Sequence, residues 1–210
     1  PALILVDLLA WSVGVLFDLG WLVRGSQLIA ALAGIAFAGL TLRLQSQRRR
    51  AKADATYRYW QLGLSSSVAA LLMLAVAALW PAAGELANWT VGFGILIVAG
   101  GFLPFITGML YKIVPFLAWM HLQNYGATKV MAPAMPKLLP DAEINRQMQG
   151  YAAAFALLMG ALFLPDWLAR PAGLVFAVAN GGLAWVLFRA VGRYRQAWLD
   201  MTLKLAIKKK

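Results

Sequence analysis

Lys112 is the residue whose type and position most suggest chemistry. It lies in a strongly apolar stretch, residues 89–120, near Thr107 and Tyr111. A lysine well inside a membrane span costs about 2.5–3.5 kcal/mol to insert, and such residues often mark ion or proton pathways. Two interpretations remain open. Lys112 either snorkels its ammonium to the lipid head groups, or it forms a polar pathway for protons or anions together with Tyr111 and Thr107.

Asp7 and Asp18 are the acidic candidates for the same chemistry. Both lie in the first apolar stretch, about three helical turns apart and near one face of a helix. Each carboxylate is a conceivable ion-pair partner for the Lys112 ammonium. Both also lie near the ends of this stretch, where water reaches them, so a simple solvated role is the alternative.

His121 is the only histidine, and the chain has no cysteine. Its place after Trp119, at a predicted helix end, favours an interfacial role, with cofactor binding as the alternative. Bis-histidine haem, three-histidine copper and most zinc sites need more ligands than one histidine provides. We therefore expect no metal and no cofactor within this chain alone. Haem would require ligands from a partner.

Motifs of soluble enzymes are missing from the sequence. It contains no Walker phosphate loop, no dinucleotide-binding glycine motif after a strand, no H-E-x-x-H and no G-x-S-x-G. No self-contained catalytic constellation is visible. The sequence therefore leaves open whether the protein is an enzyme.

Membrane helices must position these side chains. The chain is 62% hydrophobic and 13% charged, whereas soluble domains are about 45–50% apolar and about 25% charged. A hydrocarbon core about 30 Å thick needs about 20 apolar residues per helix. We predict an all-α transmembrane bundle that forms one domain, residues 1–210, or the C-terminal half of a larger protein. Its six spans are expected near residues 2–23, 27–42, 60–80, 89–120, 150–168 and 171–188.

Basic residues alternate between the predicted joints. They are concentrated in residues 43–58, in residues 122–147 and in the tail after residue 188, and the other joints are nearly free of them. Because cytoplasmic loops collect lysine and arginine, both chain ends are predicted to be cytoplasmic. The net charge of +11 is then best explained by contact with anionic lipid head groups and not with nucleic acid.

The fourth predicted span is unusually long. A continuous helix over residues 89–120 would measure about 48 Å, so it must tilt, kink or protrude from the bilayer. Pro104 and Pro115 each remove a backbone donor and are predicted kinks. Three glycines leave room for a close neighbouring helix: Gly100, Gly101 and Gly108.

The longest predicted loop, residues 122–147, contains three prolines. They favour an extended path over the cytoplasmic surface, where the loop is available to a partner. The fifth helix is expected to begin early within this loop, with Asp141 as its cap. The tail, residues 189–207, mixes apolar and basic residues and is expected to continue as an amphipathic helix at the lipid surface.

Residues 107–123, TGMLYKIVPFLAWMHLQ, resemble a stretch of bacterial polytopic proteins described as heme-copper-oxidase subunit-I-like, or loosely as permeases. In that group a similar run ends a span and leads into a proline-bearing loop. The resemblance implies a bacterial inner-membrane location and an oxidase-like helical scaffold. The relatives usually carry histidines in their spans, and this chain lacks them. The matching residues are Gly108, Met109, Leu110, Tyr111, Lys112, Ile113, Pro115, Phe116, Leu117, Trp119 and His121.

Three functions follow as hypotheses. The first is a bacterial inner-membrane protein with an oxidase-like scaffold but no metal ligands of its own, acting as a subunit of a larger membrane assembly. The second is a proton- or ion-coupled transporter of small solutes that uses the kinked fourth span with Lys112. The third is a structural anchor that recruits partners through the loop 122–147.

Overall fold

A computed structural model describes residues 2–47, 55–126 and 129–207. These residues are almost entirely helical, and no strand occurs among them. The helices are α1 (Ala2–Leu16), α2 (Gly20–Ser46), α3 (Ala55–Leu79), α4 (Pro81–Gly84), α5 (Trp89–Gly94), a π-helical segment (Ile95–Phe102), α6 (Leu103–Gly126), α7 (Met135–Leu138), α8 (Asp141–Ala161) and α9 (Pro165–Ile207).

Four helices in the described ranges are long and apolar enough to cross a membrane. They are Gly20–Ser46, Thr56–Leu79, Trp89–Gly126 and Pro165–Ile207, and α1 is a shorter apolar helix. The predicted all-α class is thereby confirmed, and four helices have the length and composition that a membrane span requires. The count of six spans and the cytoplasmic position of both chain ends stay predictions.

The chain forms two compact units. Unit 1 comprises Pro1–Lys52 and Gln61–Pro104, and unit 2 comprises Ala53–Trp60 and Phe105–Lys210. In unit 1, α1 packs along α2. In unit 2, α8 packs along α9, and α7 also contacts α9.

The break between α1 and α2 lies at residues 17–19, whereas the sequence suggested residues 23–26. Leu19 N–H donates to Gly14 O over 2.8 Å, and Asp18 has a positive φ of 54°. This is a Schellman-type ending, in which the residue after the helix takes the left-handed conformation that aspartate tolerates better than most residues. Arg24 and Gly25 do not interrupt α2, because a single glycine inside a helix is tolerated.

Asp18 gives a first testable prediction. Asp18→Val should lower the free energy of unfolding by about 1–2 kcal/mol, because a β-branched residue is strained in the left-handed region. Asp18→Gly should leave that free energy unchanged or raise it, since glycine adopts this conformation freely. Thermal unfolding in detergent, followed by circular dichroism, measures both. Equal melting temperatures for the valine and glycine variants would contradict the prediction.

The break between α8 and α9 lies at residues 162–164, just before the predicted joint at residues 165–171. Pro165 is the first residue of α9, a position where a backbone N–H would have no partner within the helix, so proline costs no hydrogen bond there. Pro171 lies inside α9 without ending it. The helix has 43 residues and is about 65 Å long. Because it ends at Ile207, it includes residues 189–207, the tail that was predicted to continue as a helix.

The long helix Trp89–Gly126 contains the π-helical segment immediately before Pro104. Leu103 N–H donates to Val98 O, five residues earlier. Pro115 lies inside α6, and the kinks at both prolines stay predictions. In unit 1 a Cβ at Gly101 would lie 3.0 Å from Ser67 Oγ, which confirms the predicted close approach of a neighbouring helix.

Helices occupy both ends of the predicted loop 122–147. α6 extends to Gly126, and α8 begins at Asp141, which confirms the early start of that helix. The predicted cap at Asp141 is wrong, because Pro140 occupies the N-cap position and no side chain caps the helix. Ala132 and Leu138 are buried in one cluster with Leu122 of α6 and Met201 of α9. This part of the loop therefore packs against helices.

Candidate functional site

One face of α6 is buried within unit 2. Most of its buried residues follow one another after three, four or seven positions, and they are Thr107, Gly108, Tyr111, Pro115, Leu122 and Gly126. Thr107 is 1% exposed and Tyr111 is 2% exposed. This spacing is that of a single helical stripe, so two of the predicted pathway residues lie together on the inner face of α6.

Lys112 lies on a different side of α6. Lys112 is exposed, whereas Tyr111, its neighbour in sequence, is buried. Consecutive helical residues point about 100° apart, so neighbours in sequence do not share a face. The structure therefore places Thr107 and Tyr111 on one face of α6 and Lys112 on another, and both interpretations of Lys112 stay predictions.

A second polar stripe faces the interior of unit 2 from α8. Glu143, Gln147 and Tyr151 are spaced four residues apart and therefore follow one face. Gln147 and Tyr151 are buried, and Glu143 is partly exposed. The side-chain Nε2 of Gln147 donates to Ala179 O of α9 over 3.1 Å, which ties the two helices together.

Three tyrosines meet in the interior of unit 2. The ring of Tyr59, from α3, lies 5.9 Å from the ring of Tyr111 and 6.1 Å from the ring of Tyr151, measured between centroids. The Tyr151 ring also packs against Phe176 of α9 at 5.5 Å. Such tilted arrangements are favourable for aromatic pairs. We call Tyr59, Tyr111 and Tyr151 the tyrosine cluster; none of them is more than 2% exposed.

The interior of unit 2 contains polar atoms that lack a hydrogen-bond partner in the described part of the chain. They are the hydroxyl oxygens of Tyr59 and Tyr111 and Oε1 of Gln147. A buried polar group without a partner costs about 1–3 kcal/mol, and buried polar groups in proteins nearly always have one. The arrangement thus provides hydrogen-bonding capacity for water or for another small polar species.

An ion-pair cluster lies at one end of the α8 stripe. Arg193 of α9 donates through both guanidinium nitrogens to the Glu143 carboxylate, and it also donates to Leu138 O over 3.3 Å. Arg189 lies 3.3 Å from the same carboxylate. The hydrogen bond from Arg193 holds the pKa of Glu143 below its ordinary value. Glu143 lies on the same face of α8 as Tyr151, eight residues before it.

His121 lies at the cytoplasmic end predicted for α6. Its Nδ1 is 2.9 Å from the Tyr194 hydroxyl, and both residues border a small groove of about 250 Å³ lined by α6 and α9 side chains. Over residues 2–47, 55–126 and 129–207, no group of three or more His, Cys, Asp or Glu side chains is arranged to hold a metal ion. Cofactor binding by His121 stays a prediction.

Asp7 and Asp18 both belong to unit 1. Asp18 lies in the turn after α1, so the two residues do not share a helical face as the sequence suggested. Asp7 borders a groove between α1 and α2. Lys112 belongs to unit 2, and its pairing with either acid stays a prediction.

Sequence reasoning missed several members of this site. Tyr59, Gln147, Tyr151 and the Glu143–Arg193 pair were not singled out. The four-residue spacing of Glu143, Gln147 and Tyr151 was a usable signal, because residues four positions apart in a helix lie on one face. Comparison with protein-family models, with curated proteins and with solved structures found no match for this chain.

Proposed function

We propose that this chain is a membrane transport protein in which unit 2 conducts protons, or a small polar solute coupled to them. The observation that carries the proposal is the pair of buried hydroxyl groups, of Tyr59 and Tyr111, that lack a hydrogen-bond partner among the described residues. Lipid offers no hydrogen bonds, so groups of this kind inside a membrane protein need water or a ligand as their partner.

The chemistry of the site suits proton movement. A tyrosine hydroxyl both donates and accepts a hydrogen bond, so water molecules between such groups form a chain along which protons pass. Thr107, one turn before Tyr111 on the same buried stripe, extends the polar side of this path.

Proton flux into proteoliposomes tests the proposal. Vesicles with a potassium diffusion potential and an internal pH dye should acidify with the wild-type protein. The double variant Tyr59→Phe, Tyr111→Phe should reduce this flux at least tenfold. It should fold as well as the wild type, because replacing unpaired buried hydroxyls by hydrogen removes a desolvation cost.

Two controls sharpen this test. Tyr125→Phe removes the hydroxyl of an exposed tyrosine, which lies 3.0 Å from Thr202 Oγ1, and should leave the flux unchanged. Lys112→Ala should also leave it unchanged, because Lys112 is exposed. Undiminished flux in the double phenylalanine variant would refute the role of the tyrosine cluster. Loss of flux in Lys112→Ala alone would instead assign the path to Lys112.

A second candidate function is a subunit of a larger assembly in the bacterial inner membrane, with an oxidase-like scaffold and no metal ligands of its own. This candidate is favoured by where some of the resembling residues lie. Gly108, Tyr111 and Pro115 are on the buried stripe of α6, and a shared helical scaffold would restrict the residue types at such positions. Gentle solubilisation of native membranes should then yield the chain together with other subunits. A stoichiometric haem Soret band from the isolated chain would contradict the metal-free version.

A further inference from the structure

A groove in unit 1 runs between α1 and α2. The helices are tightly packed near their connecting turn, where a Cβ at Gly14 would lie 2.9 Å from Val23 Cγ2. Gly25 borders the groove, and a Cβ at this position would meet none of the described atoms within 4 Å. The groove has a volume of about 760 Å³. Small-molecule sites measure about 300–1,000 Å³, so an organic molecule fits here.

A single charged group interrupts the apolar lining. Asp7 is the one charged residue among the described residues that border the groove. Its Oδ1 is buried and has no hydrogen-bond partner in the part of the chain that the structure describes. Trp21 and Phe37 contribute aromatic surface. A carboxylate oxygen in such surroundings is costly unless a cation that donates hydrogen bonds accompanies it.

Charge complementarity indicates the occupant. A primary ammonium ion neutralises the carboxylate and donates N–H groups to it. An aromatic body attached to that ammonium would pack against the apolar walls and Trp21. We propose that this groove binds an organic ammonium ion with an apolar, aromatic body, held by Asp7.

Binding of 2-(1-naphthyl)ethylammonium to the full chain in lipid nanodiscs tests the proposal. Naphthyl fluorescence should report saturable binding by the wild type. Asp7→Asn should weaken binding at least tenfold. Asp18→Asn is the matched control on the same hairpin and should bind as the wild type does, since asparagine also tolerates a positive φ. The uncharged N-acetyl analogue should not compete.

A second pair of variants tests the groove without touching the charge. Gly25→Leu should fill the groove and abolish binding, whereas Gly39→Leu, also in open space on α2, should not. The proposal would be overturned if Asp7→Asn bound the ammonium ion as tightly as the wild type does. Competition by the uncharged analogue would overturn it too. Absence of saturable binding by the wild type would also overturn it. A crosslink from residue 25 to a helix of another protein would then assign the groove to a protein interface.

Discussion

Arg193→Ala is expected to lower the free energy of unfolding by about 2–3 kcal/mol, because it leaves the Glu143 carboxylate without its bidentate partner. The Glu143 side chain is only 17% exposed, so water replaces the lost hydrogen bonds incompletely. Arg189 keeps an ion pair with the same carboxylate at 3.3 Å, so the loss is smaller than the roughly 3–5 kcal/mol typical when a buried pair is broken completely. Denaturation in mixed micelles with increasing SDS measures the change.

Arg195→Ala is the matched control for this prediction. Arg195 is exposed on the same helix, and its replacement should change the unfolding free energy by less than about 0.5 kcal/mol. Acid should reduce the effect of Arg193→Ala. Because the folded pKa of Glu143 is lowered, the pair's stabilisation is fully present above the unfolded pKa and is lost as the pH falls through the folded value. This account would be contradicted if the difference in unfolding free energy between wild type and Arg193→Ala did not become smaller in acid.

Gly108→Leu is expected to lower the free energy of unfolding by about 1–3 kcal/mol through overpacking. A Cβ at this position would lie 3.2 Å from Tyr59 Cβ and 3.2 Å from Trp60 Cδ1. The first of these atoms is fixed to the backbone of α3, so it cannot move away as the end of a side chain does. The helices would have to separate, which would also disturb the packing of Tyr59 against Tyr111.

Gly150→Leu provides the control for Gly108→Leu. Gly150 lies in α8, and a Cβ there would meet nothing within 4 Å. The same substitution should therefore leave stability unchanged or raise it, because leucine favours helix more than glycine does. Thermal unfolding in detergent, measured on both variants under identical conditions, compares them. Equal destabilisation would show that the loss arises from the removal of glycine and not from the contact with α3.

The helical membrane class could be predicted from the sequence because it depends on long-range composition. An apolar run of about 20 residues has one stable solution in lipid, a helix, and α2 is an example of it. Helix ends were harder to place, because they depend on single residues. The turn after α1 is held by the positive φ of Asp18, while the more obvious breaker at Gly25 lies inside α2.

The candidate site could be predicted only in part. Thr107 and Tyr111 could be grouped, because a four-residue spacing places them on one face of α6. Lys112 was grouped with them by proximity in sequence, although adjacent helical residues point in different directions. The partners Tyr59 and Tyr151 come from other helices, and nothing in a single sequence states which helices pack together.

The amide of Gln147 has a consequence for selectivity. The Ala179 carbonyl can only accept, so the amide must turn its NH₂ group towards it. This leaves the amide oxygen buried and without a hydrogen-bond partner among the described residues. Water, hydronium, ammonium or an alcohol can satisfy that oxygen. Chloride and other halides, which offer no proton, would meet a repelling lone pair at this position. A partner for this oxygen is therefore a hydrogen-bond donor or a cation, and not an anion.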